Sequence, residues 1–228
     1  VRTRYFEDAP RAERHQGDPY LFDRTGQLSE FDPLFRTAAR KFDFDWRLLA
    51  AMAFQESRFD PSAVSWAGAH GLMQLRPRTA GVSAAELGDP RLNVMLGAEH
   101  LRKLHDRYRD VPEPDRTRFA LAAYNCGQGH LDDARKLSSL LGKDPDVWEG
   151  SVRESLLLLR QPRYHRQVRY GFVRGNETVA YVREIEQHFE ELKQMGRNAR
   201  RVQVVAGGGS EPDLADEGTT TLAAPSMD

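Results

Sequence analysis

Apolar positions recur at helical spacing along most of the chain. The first predicted helix begins at Ser29 and places its apolar residues at that spacing: Phe31, Leu34, Phe35, Ala38 and Ala39. Asp45 caps the second, which runs from Trp46 to about Ser57, and Asp60 before Pro61 follows its end because a residue before proline disfavours the helical region. No segment alternates with a period of two, and β-branched residues are scarce. The pattern predicts an all-α fold.

The same reading predicts the later helices. A short helix begins near Gly71, and Pro77–Ala80 forms the first turn of another. Pro90 opens a long amphipathic helix, and Asp115 caps the next, which ends at Gly127 in a left-handed cap. Three more helices are expected, at about 130–138, 147–159 and 178–194.

Composition divides the chain into three parts. Residues 1–28 are polar and interrupted by proline and glycine, which indicates a linker or lead-in arm whose aromatic residues can still pack on the domain. Residues 29–196 form the helical domain, and a chain of 228 residues is long enough for one medium domain with a full core. Residues 197–228 begin basic and become rich in small and polar residues, so they bury too little apolar surface to fold alone. We predict that this tail is disordered.

Charge and cysteine content exclude several classes of function. The 33 basic and 34 acidic residues nearly cancel, so the basic excess of a nucleic-acid-binding protein is absent. No stretch reaches the roughly 18 apolar residues of a membrane span. Cys126 is the only cysteine, and His100 and His105 are half a turn out of phase on a helix, so we expect no metal site and no cofactor. The chain begins at Val1 with no leader, which suggests a mature form or an excised module.

Glu56 is the strongest single candidate for catalysis. It follows an apolar run at residues 48–54, and a helix with so little polar surface is normally buried. Burial raises the pKa of a carboxyl group, which suits a proton donor near neutral pH. From position alone, an ordinary surface glutamate just beyond the buried part of the helix explains the residue equally well.

Three further stretches carry residues suited to a binding groove. The loop at 62–75 is rich in small residues, which let a polymer lie against the main chain or let two helices pack tightly. Met73 and Gln74 then add a flexible apolar contact and an amide. Tyr124 and Asn125 end a helix, where a substrate can reach them. Glu177 lies in the first turn of the last helix, where favourable interaction with the helix dipole is reason enough for its presence.

Together these stretches resemble the soluble-lytic-transglycosylase (SLT) domain family, whose bacterial members cleave peptidoglycan and have a goose-type lysozyme-like helical fold with a substrate groove. The resemblance covers about residues 30–194 and is carried by four motifs in order: Glu56 and Ser57 followed by residues 59–61; Ser65, residues 68–69 and 71–74 with Pro77, Thr79 and Ala80; residues 123–127; and Glu177 and Thr178 with Tyr181 and Val182. Cys126 stands where the family usually has a smaller residue.

The resemblance implies a reaction and a role for each matching residue. The β-1,4 bond between N-acetylmuramic acid and N-acetylglucosamine is cleaved without water, leaving a 1,6-anhydromuramic end, with Glu56 as the sole acid and base. One carboxyl suffices because the nucleophile is intramolecular. Ser65 and Tyr124 match positions that contact the acetamido group and the reacting sugar. The remaining matches are groove or acid-supporting positions: Met73, Gln74, Asn125, Glu177 and Tyr181.

Two other functions fit the same motifs. A hydrolytic goose-type muramidase would need a positioned water and usually a second carboxylate, for which Asp60 is the nearby candidate, although its place before Pro61 suits a turn or cap better. A non-catalytic module would bind peptidoglycan glycan strands and release nothing.

The resemblance also implies partners and a location. Residues 169–176 and the lead-in arm resemble one branch of the family, whose members carry an N-terminal periplasmic-binding-like module. We therefore expect a monomer in the periplasm that binds glycan strands and no nucleic acid. It would be attached to the outer membrane through an N-terminal lipid or membrane anchor and regulated by such a module.

Overall fold

The computed structural model describes residues 27–206, with side chains described as far as residue 197. Within this range the chain forms helices α1 (Asp32–Phe42), α2 (Trp46–Ser57), α3 (Pro77–Ala80), α4 (Pro90–Arg107), α5 (Asp115–Cys126), α6 (Gln128–Leu140), α7 (Arg153–Leu158), α8 (Pro162–His165) and α9 (Gly175–Ala206). Between residues 27 and 206 no β-strand forms, and isolated antiparallel bridges join His70 to Val64 and to Leu75. The predicted all-α class is confirmed.

The first two helices begin where acidic side chains satisfy free backbone N–H groups. Asp32 accepts hydrogen bonds from the N–H groups of Leu28 and Ser29 at 2.8 and 3.0 Å, so α1 starts three residues later than predicted. Leu28, which the sequence assigned to the arm, is buried in the core. Asp45 accepts from the N–H of Arg47, and α2 has its predicted bounds.

Three local predictions were wrong. Residues 71–74 form a turn instead of a helix, because Gly71 and Gln74 both have positive φ, at 75° and 46°. Asp115 is the first residue of α5 and not its cap, and its carboxylate accepts from the backbone N–H of Trp148 at 2.9 Å. Gly127 has φ 87° but ψ 143°, so it connects α5 directly to α6 without a left-handed cap.

The C-terminal half also departs from the predicted bounds. The helix expected at 147–159 does not form as one element. Gly150, whose φ is 75°, lies in an irregular turn at Trp148–Val152, and the short helix α7 follows it. The one-turn helix α8 was not predicted. The last helix continues to Ala206, beyond the predicted domain end at 196. Most of the arm (residues 1–26) and the rest of the tail (207–228) lie outside the described residues.

Helices α2 and α5 form the centre of the core. Helix α2 packs against α1 and α9, while α5 packs against α4, α6 and α9. Residues 48–55 of α2 and 119–123 of α5 are all buried. Because α9 packs on both central helices, it brings its side chains to the C-terminal ends of α2 and α5, where Glu56 and Tyr124 lie.

Candidate active site

Glu56 lies in the last turn of α2 with its carboxyl group at the edge of the core. Residues 48–55 and Ser57 of this helix are buried, whereas Glu56 is partly exposed. Its Oε1 accepts a hydrogen bond of 2.6 Å from the Tyr181 hydroxyl of α9. Burial raises the pKa of Glu56 from its ordinary 4.5 to about 7, and the hydrogen bond from Tyr181 opposes this rise only in part. A carboxyl group with this pKa can give and take a proton near neutral pH.

The chain reverses sharply after Glu56 and is held against α2. Arg58 and Phe59 both have positive φ, at 57° and 62°, a conformation that costs a side-chain-bearing residue of order 1–3 kcal/mol. The Ser57 hydroxyl, fully buried, donates to the carbonyl of Leu72 at 2.9 Å. This bond fixes the loop at 62–75 beside the end of the helix that carries Glu56.

A buried asparagine of α4 organises the same loop from the other side. The Asn93 side chain accepts from the N–H of Met73 at 2.8 Å and donates to the carbonyls of His70 and Leu87 at 2.8 and 3.0 Å. Gly71 passes so close that a Cβ there would lie 2.4 Å from Asn93 Nδ2. Both the positive φ and this close approach therefore require glycine at position 71.

The structure places Met73 and Gln74 in supporting positions. The Met73 side chain is fully buried, and a Cβ on Gly97 of α4 would lie 2.5 Å from its sulfur. The Met73 side chain therefore does not line an open surface here, whereas its carbonyl accepts from the Tyr124 hydroxyl at 2.9 Å. The Gln74 amide nitrogen donates to two carbonyls of its own loop, at 3.0 and 3.1 Å.

Ser65 and Asp60 both hold turns. The buried Ser65 hydroxyl accepts from the N–H of Ala69 at 3.0 Å, closing the tip of the loop. Asp60 is exposed, and its Oδ1 accepts from both the N–H and the hydroxyl of Ser62, at 2.8 and 2.6 Å. This geometry supports the turn role of Asp60, because Ser62 occupies its Oδ1 twice.

The end of α5 supplies a second group of predicted residues. The Tyr124 ring packs at 5.2 Å from the ring of His100, and its pKa is raised well above its ordinary value by burial and by the charge of Glu56. Tyr124 therefore remains a neutral hydrogen-bond donor close to Glu56. The Asn125 side-chain oxygen accepts from the buried Thr178 hydroxyl of α9 at 2.9 Å.

Glu177 lies in the first turn of α9. It precedes Tyr181 by one turn of α9, and its carboxylate is paired with Arg174 at 3.6 Å. The side chain lines a separate surface cleft of about 580 Å³. The structure thus brings together Glu56, Tyr181 and Tyr124, while Glu177 belongs to a neighbouring concavity.

Three polar residues that hold this site together were given no role from the sequence: Ser57 and Thr178 entered only as motif positions, and Asn93 was missed. Each is at most 1% exposed. For Asn93 a signal existed, since it shares the face of α4 that carries Gly97 and Leu101 at a spacing of four, and a polar residue on a buried stripe must find partners.

Other kinds of site are not evident in the part of the chain that the structure describes. Between residues 27 and 206 no three histidine, cysteine or acidic side chains are grouped to hold a metal ion. Over the same residues, no helix is long and apolar enough to cross a bilayer.

Comparison with known proteins identifies the family. The family model of the transglycosylase SLT domain matches residues 33–146. A protein of Alcanivorax borkumensis named membrane-bound lytic murein transglycosylase F is 45% identical over 184 residues, which are 80% of this chain and 38% of that protein. The Hahella chejuensis protein of the same name is 36% identical over 222 residues, covering 96% of this chain and 43% of that protein. The chain thus spans about two-fifths of the length of these relatives.

Two solved structures show the same fold at low sequence identity. The 70 kDa soluble lytic transglycosylase of Escherichia coli has a TM-score of 0.54 and 23% identity, covering 72% of this chain and 24% of that one. The second structure is an inactive mutant of the lytic transglycosylase Slt of Pseudomonas aeruginosa, with glutamine in place of a glutamate. It has a TM-score of 0.54 and 24% identity, covering 75% of this chain and 25% of that one. With the family model matching half of its length, the chain belongs to the transglycosylase SLT domain family.

Proposed function

We propose that this chain is a peptidoglycan lytic transglycosylase. It would cleave the β-1,4 bond between N-acetylmuramic acid and N-acetylglucosamine without water and leave a 1,6-anhydro-N-acetylmuramic acid end. Glu56 would be its single acid and base. The observation that carries the proposal is the Glu56 carboxyl at the core edge, with a pKa raised to about 7 and a Tyr181 hydroxyl 2.6 Å from Oε1.

The raised pKa suits both halves of the reaction. Protonated Glu56 gives its proton to the glycosidic oxygen as the bond between that oxygen and C1 of the muramic acid breaks. The resulting carboxylate then takes the proton of the C6 hydroxyl as O6 bonds to C1, so Glu56 ends protonated as it began. No water is consumed, and the product carries an internal acetal in which O6 has replaced the departing oxygen on C1. The 2-acetamido group of the muramic acid can stabilise the developing charge at C1.

The surroundings of Glu56 favour internal cyclisation over hydrolysis. Burial raises the pKa of Glu56, and the Tyr181 hydroxyl lowers it only in part. The nearest candidate in the sequence for a second carboxylate, Asp60, is engaged by Ser62 in an exposed turn. A one-carboxylate site departs from the two-carboxylate scheme of most glycosidases, and an intramolecular nucleophile explains how one can suffice.

The neighbouring residues would position the sugar. Tyr124 is neutral beside Glu56, and its hydroxyl donates its one hydrogen to the carbonyl of Met73, so its oxygen remains to accept from the sugar. Asn125, fixed by Thr178, and Gln74, fixed within its loop, would present their amides to the glycan. Ser65 would meet the acetamido sugar through the turn that it closes. The names of the relatives, which are called lytic murein transglycosylases, support a peptidoglycan substrate.

Product analysis tests the proposal. Purified sacculi incubated with the chain should release muropeptides with anhydro ends, each lighter by one water than the hydrolytic product, and Glu56→Gln should release almost none. Reducing-end products, together with a large loss in Asp60→Asn, would instead identify a hydrolytic muramidase. Equal glycan binding by the chain and Glu56→Gln with no release from either would identify a binding module.

We also propose that the chain acts in the periplasm as a monomer within a longer, outer-membrane-associated protein that carries a periplasmic-binding-like module. The relatives are named membrane-bound and are more than twice as long as the matched part of this chain. Fractionation of cells that express the full-length protein tests the location, since a cytoplasmic pool would contradict it.

A further inference from the structure

A surface cleft whose lining does not include Glu56 carries charged, apolar and amide side chains. It has a volume of about 580 Å³ and lies between the end of α7 and the start of α9. Glu177 is on its wall, and Tyr181, the hydrogen-bond partner of Glu56, follows one turn later on the same helix. One turn advances a helix by roughly 5–6 Å, so the cleft borders the proposed reaction site.

Two guanidinium groups give the cleft its charge. Arg160 is exposed, and among the described residues no acidic side chain pairs with it. Arg174 is 48% exposed, and within the described residues the acidic side chain paired with it is Glu177, at 3.6 Å, a separation too long for a strong hydrogen bond. Guanidinium groups bind carboxylates through paired N–H donors. The cleft is therefore suited to a ligand that carries carboxylates.

The rest of the lining suits a short peptide. Phe172 and Leu157 are exposed to 54% and 37%, which is high for such side chains, and both line the cleft. Gln161 and Asn176 add amides that can donate to and accept from a peptide backbone. Glu177 can accept from an N–H group. Apolar walls with a few polar groups are typical of sites for small ligands.

We infer that this cleft binds the peptide substituent of the glycan strand, with Arg160 and Arg174 receiving its carboxylates. This inference rests on the proposed function, in which the muramic acid beside the cleaved bond carries that peptide on its lactyl group. An extended peptide spans roughly 3.3–3.6 Å per residue, so two or three residues bridge the distance from the reaction site to the cleft. The enzyme would accordingly prefer strands that retain their peptides over stripped strands.

Binding to the Glu56→Gln variant tests this inference independently of catalysis. The probes are soluble uncrosslinked glycan strands, either with their peptides or stripped by an N-acetylmuramoyl-L-alanine amidase. We expect Glu56→Gln to bind the peptide-bearing strands about tenfold tighter, the scale of one or two charge-assisted hydrogen bonds. Adding Arg160→Gln and Arg174→Gln should bring the ratio of the two affinities close to one. Adding Arg109→Gln, which removes an exposed arginine outside the cleft, should leave the ratio unchanged.

Each other outcome has a definite meaning. Equal affinity for the two strands before the arginines are changed, or a ratio that survives their replacement, would overturn the inference. Circular dichroism would reveal whether the double change unfolds the protein. In that case the affinity ratio of Arg160→Gln alone tests the inference, because this exposed side chain has no partner among residues 27–197 whose loss could disturb the fold. Failure of the active chain to release anhydro products would refute the proposed function and leave the binding ratio as measured.

Discussion

Replacing Glu56 with glutamine should stabilise the fold, and only where the glutamate would be ionised. In the unfolded chain Glu56 ionises around its ordinary pKa of 4.5, whereas in the folded protein burial delays ionisation to about 7. Between these values the folded state binds more protons than the unfolded state, so stability falls as the pH rises. At about 1.4 kcal/mol per pKa unit the full interval corresponds to roughly 3 kcal/mol, and partial exposure of the side chain reduces this to about 2 kcal/mol.

The assay is urea unfolding followed by circular dichroism at pH 4 and pH 8, for the chain and for Glu56→Gln. We expect the variant to be more stable by on the order of 2 kcal/mol at pH 8 and nearly equal at pH 4. Glu86→Gln is the control of opposite sign, because hydrogen bonds from Ser83 lower the pKa of Glu86 and that stabilisation is present above pH 4.5. A Glu56→Gln variant equally stable at both pH values, or less stable at pH 8, would refute the burial argument.

Three further substitutions test the contacts around the site. Tyr181→Phe removes the hydrogen bond that lowers the pKa of Glu56, so that pKa should rise and the alkaline limb of the pH profile of kcat/KM should move up by about one pH unit. An unmoved limb would contradict this role of Tyr181. Gly71→Ala should lower the free energy of unfolding, measured by thermal denaturation, by on the order of 2 kcal/mol or more. Gly81→Ala is the control, because Gly81 has a similar φ of 74° but open space around it, and it should cost about 1 kcal/mol. Equal losses would mean that the close approach at Gly71 is unimportant. Thr178→Val should lower kcat/KM about tenfold by releasing the asparagine of α5, and wild-type turnover would show that this amide needs no fixing.

Features set by neighbouring residues could be predicted from the sequence. The cap at Asp45 and the apolar run after it are local signals, and they gave both the bounds of α2 and the place of Glu56 at the edge of the core. The turn at 71–74 could not be found in this way. Its conformation depends on the Asn93 side chain, which accepts from the N–H of Met73 and donates to the carbonyl of His70. Asn93 is remote in sequence, and these bonds override the local helical preference.

The roles of the site residues were harder to predict than their presence. The motif placed Met73 on a groove, yet Gly97 of α4 leaves room for its side chain inside the core, and only the fold brings those two residues together. Tyr181 was expected to line the groove or to support the acid, and in the fold its hydroxyl donates a hydrogen bond of 2.6 Å to Glu56 Oε1. The partner of Asn125, Thr178, is on another helix, so no spacing within α5 could reveal it.

Mass spectrometry of the products released from purified sacculi tests the central claim most directly. The account predicts muropeptides with 1,6-anhydro ends, formed by the chain and nearly abolished in Glu56→Gln, with Asp60→Asn close to wild type because Asp60 only closes a turn. Products heavier by one water, or anhydro products formed undiminished by Glu56→Gln, would contradict a single carboxyl group that acts as both acid and base.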